Sequence, residues 1–276
     1  MRILILGADG QLGRALARRA AGHDVVAAPR GRIDVTAAAA VDAIAAAAAD
    51  VVVNAAAFTD VDGCERDPEG AFRLNAVGAM HAAKGAAACG AAIVQISTDY
   101  VFDGSKGAPY VEDDLPAPLS VYGASKLAGE HLVRASNAAH FVVRTAWLYG
   151  LGGRNFVTRM LALAGEVDRL SVVDNEYGNP TFCDDLADAL VALVGTGRHG
   201  TYHLANEGRC SRWELARAAL DRAGRPEYPI DRAERFARLA RPPADAPLAN
   251  RAAAALGVRL PSWQAGLDAF FARGGG

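Results

Sequence analysis

The sequence is poor in cysteine, and its four cysteines lie far apart, at Cys64, Cys89, Cys183 and Cys210. No C-x-x-C pair is present, which argues against a zinc site and against a disulfide framework. Packing is the simpler interpretation of all four. The six histidines add no ligand pattern, because His199 and His203 would stand about 13 Å apart in a predicted strand. We therefore expect no metal site from these residue types.

Long hydrophobic runs are also missing. The alanine runs are interrupted by charge or glycine, and no stretch approaches the ~18–20 apolar residues of a membrane span. The first six residues lead directly into a glycine turn and lack the apolar region and cleavage site of a signal peptide. We expect a cytoplasmic protein without a membrane partner.

Positive and negative charges are nearly equal in number, and lysine is scarce. The net charge of −2 gives no pull toward nucleic acid, so we expect no nucleic-acid partner. Among 29 basic residues, the lysines are Lys84, Lys106 and Lys126. A lysine at any one position is therefore improbable by composition, which gives Lys126 particular interest.

Short apolar runs alternate with helical segments over the first 150 residues. This alternation is typical of α/β proteins whose parallel strands are buried on both faces. We expect a Rossmann-like, doubly wound parallel sheet. In chain order, the predicted strands are 2–6, 24–28, 50–54, 92–97 and 141–145, and the predicted helices are 11–21, 37–49, 68–89 and 122–137.

Beyond residue 150 the alternation loosens, and at 276 residues the chain exceeds the usual size of one domain. We expect a dinucleotide-binding domain over residues 1–150 and a smaller, interleaved substrate-binding lobe over 151–276. A segment near 171–194 is expected to return to the first domain. The predicted helices of this part are 155–165 and 183–194, and the predicted strands are 171–173 and 200–204.

A glycine-rich turn follows the first predicted strand and opens the first helix. In this context backbone N–H groups can approach a pyrophosphate. The spacing G-x-x-G-x-x-G is one residue longer at the front than the Rossmann fingerprint, so a tight turn in another kind of α/β protein is the alternative. The candidate cofactor-binding residues in the turn are Gly7, Gly10, Gln11, Leu12 and Gly13.

The second predicted strand ends without the acidic residue that binds a ribose 2′-hydroxyl. Arg30 stands there instead, and a guanidinium can bind a 2′-phosphate through paired hydrogen bonds. A surface role is the alternative, because arginine is the usual cation of this chain. We expect NADPH as the cofactor, with NADH as a second option. Further candidate cofactor-binding residues are Asp34, Val35, Asn54, Ala55, Ala56, Ala57 and Asn75.

Tyr122 and Lys126 stand four residues apart at a predicted helix start, hence on one face and about 6 Å apart. A nearby cation lowers the pKa of a phenol, so we expect Tyr122 to exchange a proton with a carbonyl or alcohol oxygen. Thr98 lies at the end of a central strand, where parallel sheets present their site residues. A surface Tyr/Lys pair is the alternative, and the scarcity of lysine weakens it.

Several longer segments resemble the dTDP-4-dehydrorhamnose reductase family of extended short-chain dehydrogenases. The resemblance runs from residue 1 to about 270 and implies NAD(P)H-dependent reduction of the C4 keto group of a nucleotide-linked 4-keto-6-deoxy sugar. The segments that carry it are Asn54–Asp62 (NAAAFTDVD), Ser97–Gly104 (STDYVFDG), Tyr122–Glu130 (YGASKLAGE), Arg144–Gly150 (RTAWLYG), Gly178–Thr181 (GNPT) and Pro261–Trp263 (PSW).

The resemblance also implies residue roles. Tyr122 would give a proton to the C4 oxygen while the nicotinamide gives hydride to C4. Lys126 would hold the nicotinamide ribose, and Thr98 would hydrogen-bond the same sugar oxygen. The sugar pocket would be lined by Asp99, Tyr100 and Trp147, although a tryptophan at a strand end is as often a core residue. We expect a nucleotide-sugar substrate and a homodimer.

Two segments raise separate questions. The tail over 241–248 has an extra proline, and an alanine stands where the family has serine, so we expect an altered contact at the substrate end. The acidic triplet Glu112-Asp113-Asp114 could bind a divalent ion such as Mg²⁺ between subunits, but a solvated loop is the simpler interpretation.

Two other functions compete with the reductase. A non-catalytic regulatory subunit, like that of methionine adenosyltransferase, resembles the chain around Ser97–Gly104, but the intact set of Thr98, Tyr122 and Lys126 favours an enzyme. The second competing function is that of a dehydratase or epimerase of the same superfamily. Related dehydratases carry an Asp-Glu pair after the threonine, whereas Tyr100 stands at the second position here. A phenol is a poor proton abstractor at neutral pH.

Overall fold

Strands and helices follow one another along the chain much as the apolar pattern predicts. A computed structural model describes residues 1–235 and 237–275, and none of the helices over these residues is long and apolar enough to cross a membrane. The elements are β1 (Arg2–Leu6), α1 (Gln11–Arg19), β2 (Asp24–Ala28), α2 (Ala40–Ala45), β3 (Val51–Asn54), α3 (Val61–Arg66), α4 (Pro68–Phe72), α5 (Gly78–Ala88), β4 (Ala92–Thr98), α6 (Val121–Ser136), β5 (His140–Thr145), β6 (Leu148–Tyr149), α7 (Phe156–Leu163), β7 (Leu170–Val173), β8 (Tyr177–Gly178), β9 (Thr181–Phe182), α8 (Cys183–Gly195), β10 (Gly200–His203), β11 (Cys210–Ser211), α9 (Arg212–Arg222), β12 (Ile230–Ala233), α10 (Arg251–Ala255) and α11 (Trp263–Ala272).

One sheet is central, with strands in the order β10-β5-β4-β3-β1-β2 and every pairing parallel. Successive residues of a strand face opposite sides. Ile3 and Ile5 pack in a cluster that includes α1 and α8, whereas Leu4 and Leu6 pack in a cluster that includes α2 and α5. Both faces are therefore covered by helices, and the predicted doubly wound α/β class is confirmed.

The elements after residue 150 divide between two places. Three strand pairs lie outside the central sheet, namely β7 with β12, β8 with β11 and β6 with β9. Helices α7, α9 and α11 pack with them in apolar clusters of their own. In contrast, α8 packs on α1, and β10 extends the central sheet beside β5. The division into two domains at residue 150 stays a prediction.

The predicted helix over 37–49 is present only over Ala40–Ala45. Before it, the Asp34 carboxylate accepts hydrogen bonds from the backbone N (3.0 Å) and the hydroxyl (2.8 Å) of Thr36, which form a turn. After it, Ala48 adopts a left-handed φ of 45°, and the chain reverses into β3. Local side-chain hydrogen bonds and the path into the sheet outweigh the helix propensity of alanine.

The predicted helix over 68–89 is interrupted by a π-helical turn, Arg73–Val77. Helix α6 approaches closely at this turn, because a Cβ atom on Gly129 would lie 2.2 Å from the carbonyl oxygen of Asn75. Asn75 in turn donates to the hydroxyl of Ser125 in α6 at 3.0 Å. Helix α6 is therefore anchored next to the residues that carry the predicted chemistry.

Candidate active site

The turn between β1 and α1 contains two positions that require glycine, because other backbone atoms lie too close for a side chain. Gly7 has a φ of +71°, and a Cβ atom on it would lie 2.8 Å from the backbone N of Ala56. A Cβ atom on Gly13 would lie 2.3 Å from the carbonyl oxygen of Gly7. The turn therefore packs tightly on the segment after β3, and the first turn of α1 borders an open cavity.

This cavity measures about 400 Å³ and opens at the carboxyl ends of the central strands, the edge at which doubly wound sheets bind ligands. The predicted residues in its wall are Gly10, Gln11, Leu12, Gly13, Ala55, Ala57, Thr98, Tyr122, Lys126 and Trp147. The wall also contains residues that the sequence did not single out, namely Thr59, Ile96, Ser97, Thr145, Ala146, Leu148, Arg154 and Asn155. We call this space the first cavity.

Some predicted cofactor residues stand behind the cavity wall instead. Asn54 donates to Gln95 Oε1 at 2.8 Å. Asn75 accepts from the backbone N of Phe58 at 2.8 Å and donates to its carbonyl oxygen at 3.2 Å. Both side chains are buried and position the loop after β3. Other predicted residues outside the wall are Gly7, Arg30, Asp34, Val35 and Ala56.

Arg30 lies at the exposed end of β2. Its side chain is 78% exposed, and its Nε atom lies 3.9 Å from Asp34 Oδ2. Hydrogen bonds from Thr36 lower the pKa of Asp34, with a smaller contribution from the charge of Arg30, so this carboxylate is charged at neutral pH. An exposed pair of this kind is weak, and a phosphate can compete for the guanidinium.

Helix α6 starts where Ser120 caps it by accepting a hydrogen bond from the backbone N of Gly123 at 3.2 Å. The adjoining N–H of Val121 donates to Glu65 Oε1 at 2.8 Å. A Cβ atom on Gly123 would lie 2.2 Å from the carbonyl oxygen of Tyr100. These contacts fix the first turn of α6, which carries Tyr122, against the loop after β4.

Tyr122, Lys126 and Thr98 meet in the wall of the first cavity. The Lys126 ammonium donates to the carbonyl oxygen of Ile96 at 2.6 Å. The Thr98 hydroxyl donates to Asp99 Oδ1 at 2.9 Å, and Thr98 lines the same wall as Tyr122. A phenol, a hydroxyl and an ammonium therefore converge from β4 and α6.

The expectation that Lys126 lowers the pKa of Tyr122 is wrong for this structure. Burial raises the pKa of Tyr122 above its ordinary value, and the hydrogen bond with Thr98 offsets this only in part. Burial lowers the pKa of Lys126 to about 8, while the charge of Glu130 raises it. At neutral pH the phenol is consequently protonated and the ammonium is largely charged, which suits Tyr122 as a proton donor.

A buried ion network lies one helical turn beyond Lys126. The carboxylate of Glu130, fully buried, accepts from Ser97 Oγ at 2.6 Å, from Arg144 Nε at 2.9 Å and Nη2 at 2.8 Å, and from Arg134 Nη2 at 2.9 Å. Burial raises the pKa of Glu130, but Arg144, Ser97 and Arg134 together outweigh burial and keep the pKa below its usual value. The network ties the strand ends of β4 and β5 to α6.

A second cavity of about 240 Å³ adjoins the first and shares Thr98, Tyr122 and Trp147 with it. Asp99 and Tyr100 line the second cavity, as expected for the sugar pocket. Burial raises the pKa of Asp99 to about 6, against the hydrogen bond from Thr98 and a nearby guanidinium. The proton donor therefore stands between the two spaces.

The guanidinium in question belongs to Arg212, a residue that the sequence did not single out. Its Cζ atom lies 3.4 Å from the centre of the Trp147 ring, and Trp147 itself has a left-handed φ of 47°. Strained backbone of this kind clusters at functional sites. The capping box of Ser211 and Glu214 marks the start of α9 and could have located Arg212 at a helix start. It could not have placed Arg212 beside the predicted sugar pocket.

A third cavity of about 600 Å³ shares Thr59, Phe156 and Arg212 with the second. Its wall is largely apolar and has a partly exposed ion pair between Glu176 and Arg238 at one side. The apolar residues of the wall are Val61, Phe156, Met160, Leu163, Leu170, Val172 and Val173. The second cavity therefore shares wall residues with both the first and the third, and we call the three cavities together the groove.

Two residues of the acidic triplet, Glu112 and Asp114, make hydrogen bonds and ion pairs within the protein. Glu112 Oε1 accepts from the backbone N atoms of His203 at 3.2 Å and Ala252 at 3.0 Å. Asp114 pairs with Lys106 and accepts from the backbone N of Val111 at 2.7 Å. Glu112 and Asp114 are therefore partly buried members of a loop in which Asp113 is exposed, and the divalent ion between subunits stays a prediction. Over the described ranges, no cluster of three or more His, Cys, Asp or Glu could hold a metal ion.

The alanine in the altered tail is Ala246, which is 1% exposed and packs in an apolar cluster with Phe102 and Tyr110. It is absent from the walls of the three cavities. The methyl group of Ala246 therefore serves packing, and the altered contact at the substrate end stays a prediction.

Comparisons with known proteins establish the family of the chain. A family model described as the RmlD substrate binding domain matches residues 1–274. The chain belongs to this family. The predicted membership is thereby confirmed.

Relatives of this RmlD family member include a dTDP-4-dehydrorhamnose reductase of Mycobacterium tuberculosis, 43% identical over 231 residues, or 81% of this chain and 76% of that protein. The spore coat polysaccharide biosynthesis protein SpsK of Bacillus subtilis is 38% identical over 270 residues, or 96% and 95% of the two chains. The crystal structure of dTDP-4-dehydrorhamnose reductase from Bacillus anthracis in complex with NADP superposes with a TM-score of 0.94 at 35% identity, over 99% of each chain.

Proposed function

We propose that the protein reduces the C4 keto group of a nucleotide-linked 4-keto-6-deoxy sugar with NAD(P)H, converting dTDP-4-dehydro-L-rhamnose to dTDP-L-rhamnose. One observation carries the proposal: Tyr122 and Thr98 stand in the shared wall of the first and second cavities. A proton donor between a dinucleotide site and a sugar site is the arrangement that carbonyl reduction requires. The names of the relatives point to the same reaction.

The first cavity fits a nicotinamide dinucleotide. Its glycine turn lets the backbone approach a pyrophosphate, and Lys126 lies deeper in the same wall, where it can hold a ribose hydroxyl. When bound, the reduced nicotinamide supplies the hydride. Arg30, at the end of β2, would bind the 2′-phosphate of NADPH. The Bacillus anthracis relative binds NADP, which supports the same choice for this chain.

The residues of the shared wall would complete the reduction. Tyr122 gives its proton to the C4 oxygen as the hydride arrives at C4, so a ketone becomes a secondary alcohol. Thr98 holds the same oxygen by a hydrogen bond. The charge of Lys126 stabilises the phenolate that remains, and the phenol then regains a proton from solvent.

The second and third cavities would hold the sugar and its nucleotide. Asp99, Tyr100 and Trp147 line the space next to C4. Arg212 lies between this space and the apolar third cavity, where a cation can meet the diphosphate. The apolar wall beyond Arg212 suits a base that carries a methyl group.

The phenol at position 100 argues against the alternative that the protein is a dehydratase. Burial raises its pKa above the ordinary value of a phenol, with the charge of Arg212 acting in the opposite direction. Such a group is unsuited to abstract the C5 proton that loss of water requires. The site therefore holds a proton donor for reduction, and the phenol of Tyr100 stands next to Asp99 where related dehydratases carry a second carboxylate.

The test supplies the purified protein with dTDP-4-keto-6-deoxy sugars and NADPH or NADH, with nicotinamide absorbance and product mass as readouts. We expect one nicotinamide oxidised for each sugar that gains two hydrogens. A parallel incubation with dTDP-glucose and catalytic NAD⁺ should leave the substrate mass unchanged. Steady loss of water in that incubation would overturn the proposal.

A further inference from the structure

The hydroxyl of Thr145 has no hydrogen-bond partner among the described residues, although the side chain is 4% exposed. Buried hydroxyls are normally paired, because leaving one unpaired costs its full desolvation energy. Thr145 ends β5 and stands in register with Thr98 at the end of β4. An unpaired polar atom at the end of a central strand therefore destabilises the free protein at the edge where doubly wound sheets bind ligands.

Thr145 belongs to the wall of the first cavity, and its hydroxyl is a buried atom just behind that wall. Its polar neighbours there already have partners within the protein: Ser97 donates to Glu130, Thr98 to Asp99, and Lys126 to the carbonyl oxygen of Ile96. The other neighbours, Ala146 and Leu148, are apolar. Unlike these three groups, the Thr145 hydroxyl has no internal partner, and a turn of its side chain would offer it to a ligand in the cavity.

We infer that Thr145 binds the carboxamide of the nicotinamide ring. The inference rests on the proposed use of a nicotinamide dinucleotide. Lys126 and Tyr122 mark the ribose and the reacting carbon, and Thr145 lies beside them in the same wall. The carboxamide is the polar substituent of the ring, with one acceptor and one donor, and a threonine hydroxyl can serve either.

A bond at this point fixes the rotation of the ring about its link to the ribose. Turning the ring over would remove the carboxamide from Thr145 and place the opposite face toward the second cavity. Thr145 is therefore a cofactor-positioning residue, distinct from the proton donor.

The test compares Thr145→Val, which keeps the shape and removes the hydroxyl, with Thr145→Ser, which keeps the hydroxyl. The dissociation constants of NADPH and of 2′-phospho-ADP-ribose, which has no nicotinamide, are measured by titration calorimetry. We expect Thr145→Val to weaken NADPH binding about threefold to tenfold and to leave the fragment unchanged. Thr145→Ser should bind NADPH nearly as the original protein does.

The unliganded variant gives an independent readout. Because the hydroxyl is unpaired, Thr145→Val should keep or raise the Tm of the free protein while it weakens NADPH binding. Equal NADPH binding by the original protein and Thr145→Val would overturn the inference and leave the proposed function intact. A lowered Tm with equal weakening of both ligands would also overturn it, since that pattern shows a structural role. If the original protein bound no nicotinamide dinucleotide, the proposed function itself would fail.

Discussion

Replacing Glu130 by glutamine tests the buried network that underlies the site. The carboxylate accepts hydrogen bonds from Ser97, Arg134 and twice from Arg144, and the Arg144 side chain is 3% exposed. An amide keeps the shape but loses the charge and turns one acceptor into a donor. Arg144 then remains buried without a counter-ion.

The structure sets the magnitude of this change. Removing one partner of a buried ion pair costs about 3–5 kcal/mol. For a chain of this length, each kcal/mol corresponds to roughly 2 °C of Tm, so Glu130→Gln should lower the Tm by roughly 6–10 °C. The variant should also weaken cofactor binding at alkaline pH, because the charge of Glu130 raises the pKa of Lys126.

Arg134→Gln is the matched control. Arg134 contacts the same carboxylate from the solvent side, and its side chain is 29% exposed. Such a pair contributes about 1 kcal/mol or less, so the Tm should fall by no more than about 2 °C. Thermal unfolding followed by circular dichroism measures both variants. If Glu130→Gln unfolded at the same temperature as Arg134→Gln, the network would not have the importance assigned to it.

Two further predictions concern charges at the ends of the groove. Arg212→Met should raise the pKa of Asp99 above about 6, because the guanidinium of Arg212 lowers that pKa. The acid limb of the pH profile of kcat should then move to higher pH. Arg209→Met, which removes an exposed pair with Asp245, is the control and should leave this limb unchanged. Arg30→Ala should lower the ratio of kcat/KM for NADPH to that for NADH. Arg32→Ala, whose guanidinium donates to a carbonyl oxygen, is its control, and an unchanged ratio in Arg30→Ala would remove the proposed phosphate contact.

The central sheet follows from sequence because its signal is local. Strand β1 is a run of apolar residues that alternate between two helix-covered faces, and the same pattern recurs in β3 and β5. The edge at which Thr98 and Tyr122 meet follows from the parallel order of the strands. Fold class, family and reductase chemistry could therefore be predicted before the structure.

Other features depend on contacts between distant segments. Arg212 reaches Trp147 from a helix that begins 65 residues later, and no spacing rule connects the two. The sign of the pKa shift of Tyr122 depends on burial, whereas the i, i+4 spacing to Lys126 suggests only the effect of charge. The unpaired state of Thr145 likewise emerges only once every neighbouring hydrogen bond is assigned.

The most direct test of the proposed chemistry is a single-turnover measurement on Tyr122→Phe. The substitution removes one oxygen and keeps the ring that lies 5.4 Å from Tyr100, so NADPH should still bind. With dTDP-4-dehydro-L-rhamnose, oxidation of bound NADPH should slow by about 10²-fold or more, because general-acid help contributes 10²–10⁴-fold. Oxidation at the original rate would contradict Tyr122 as the proton donor.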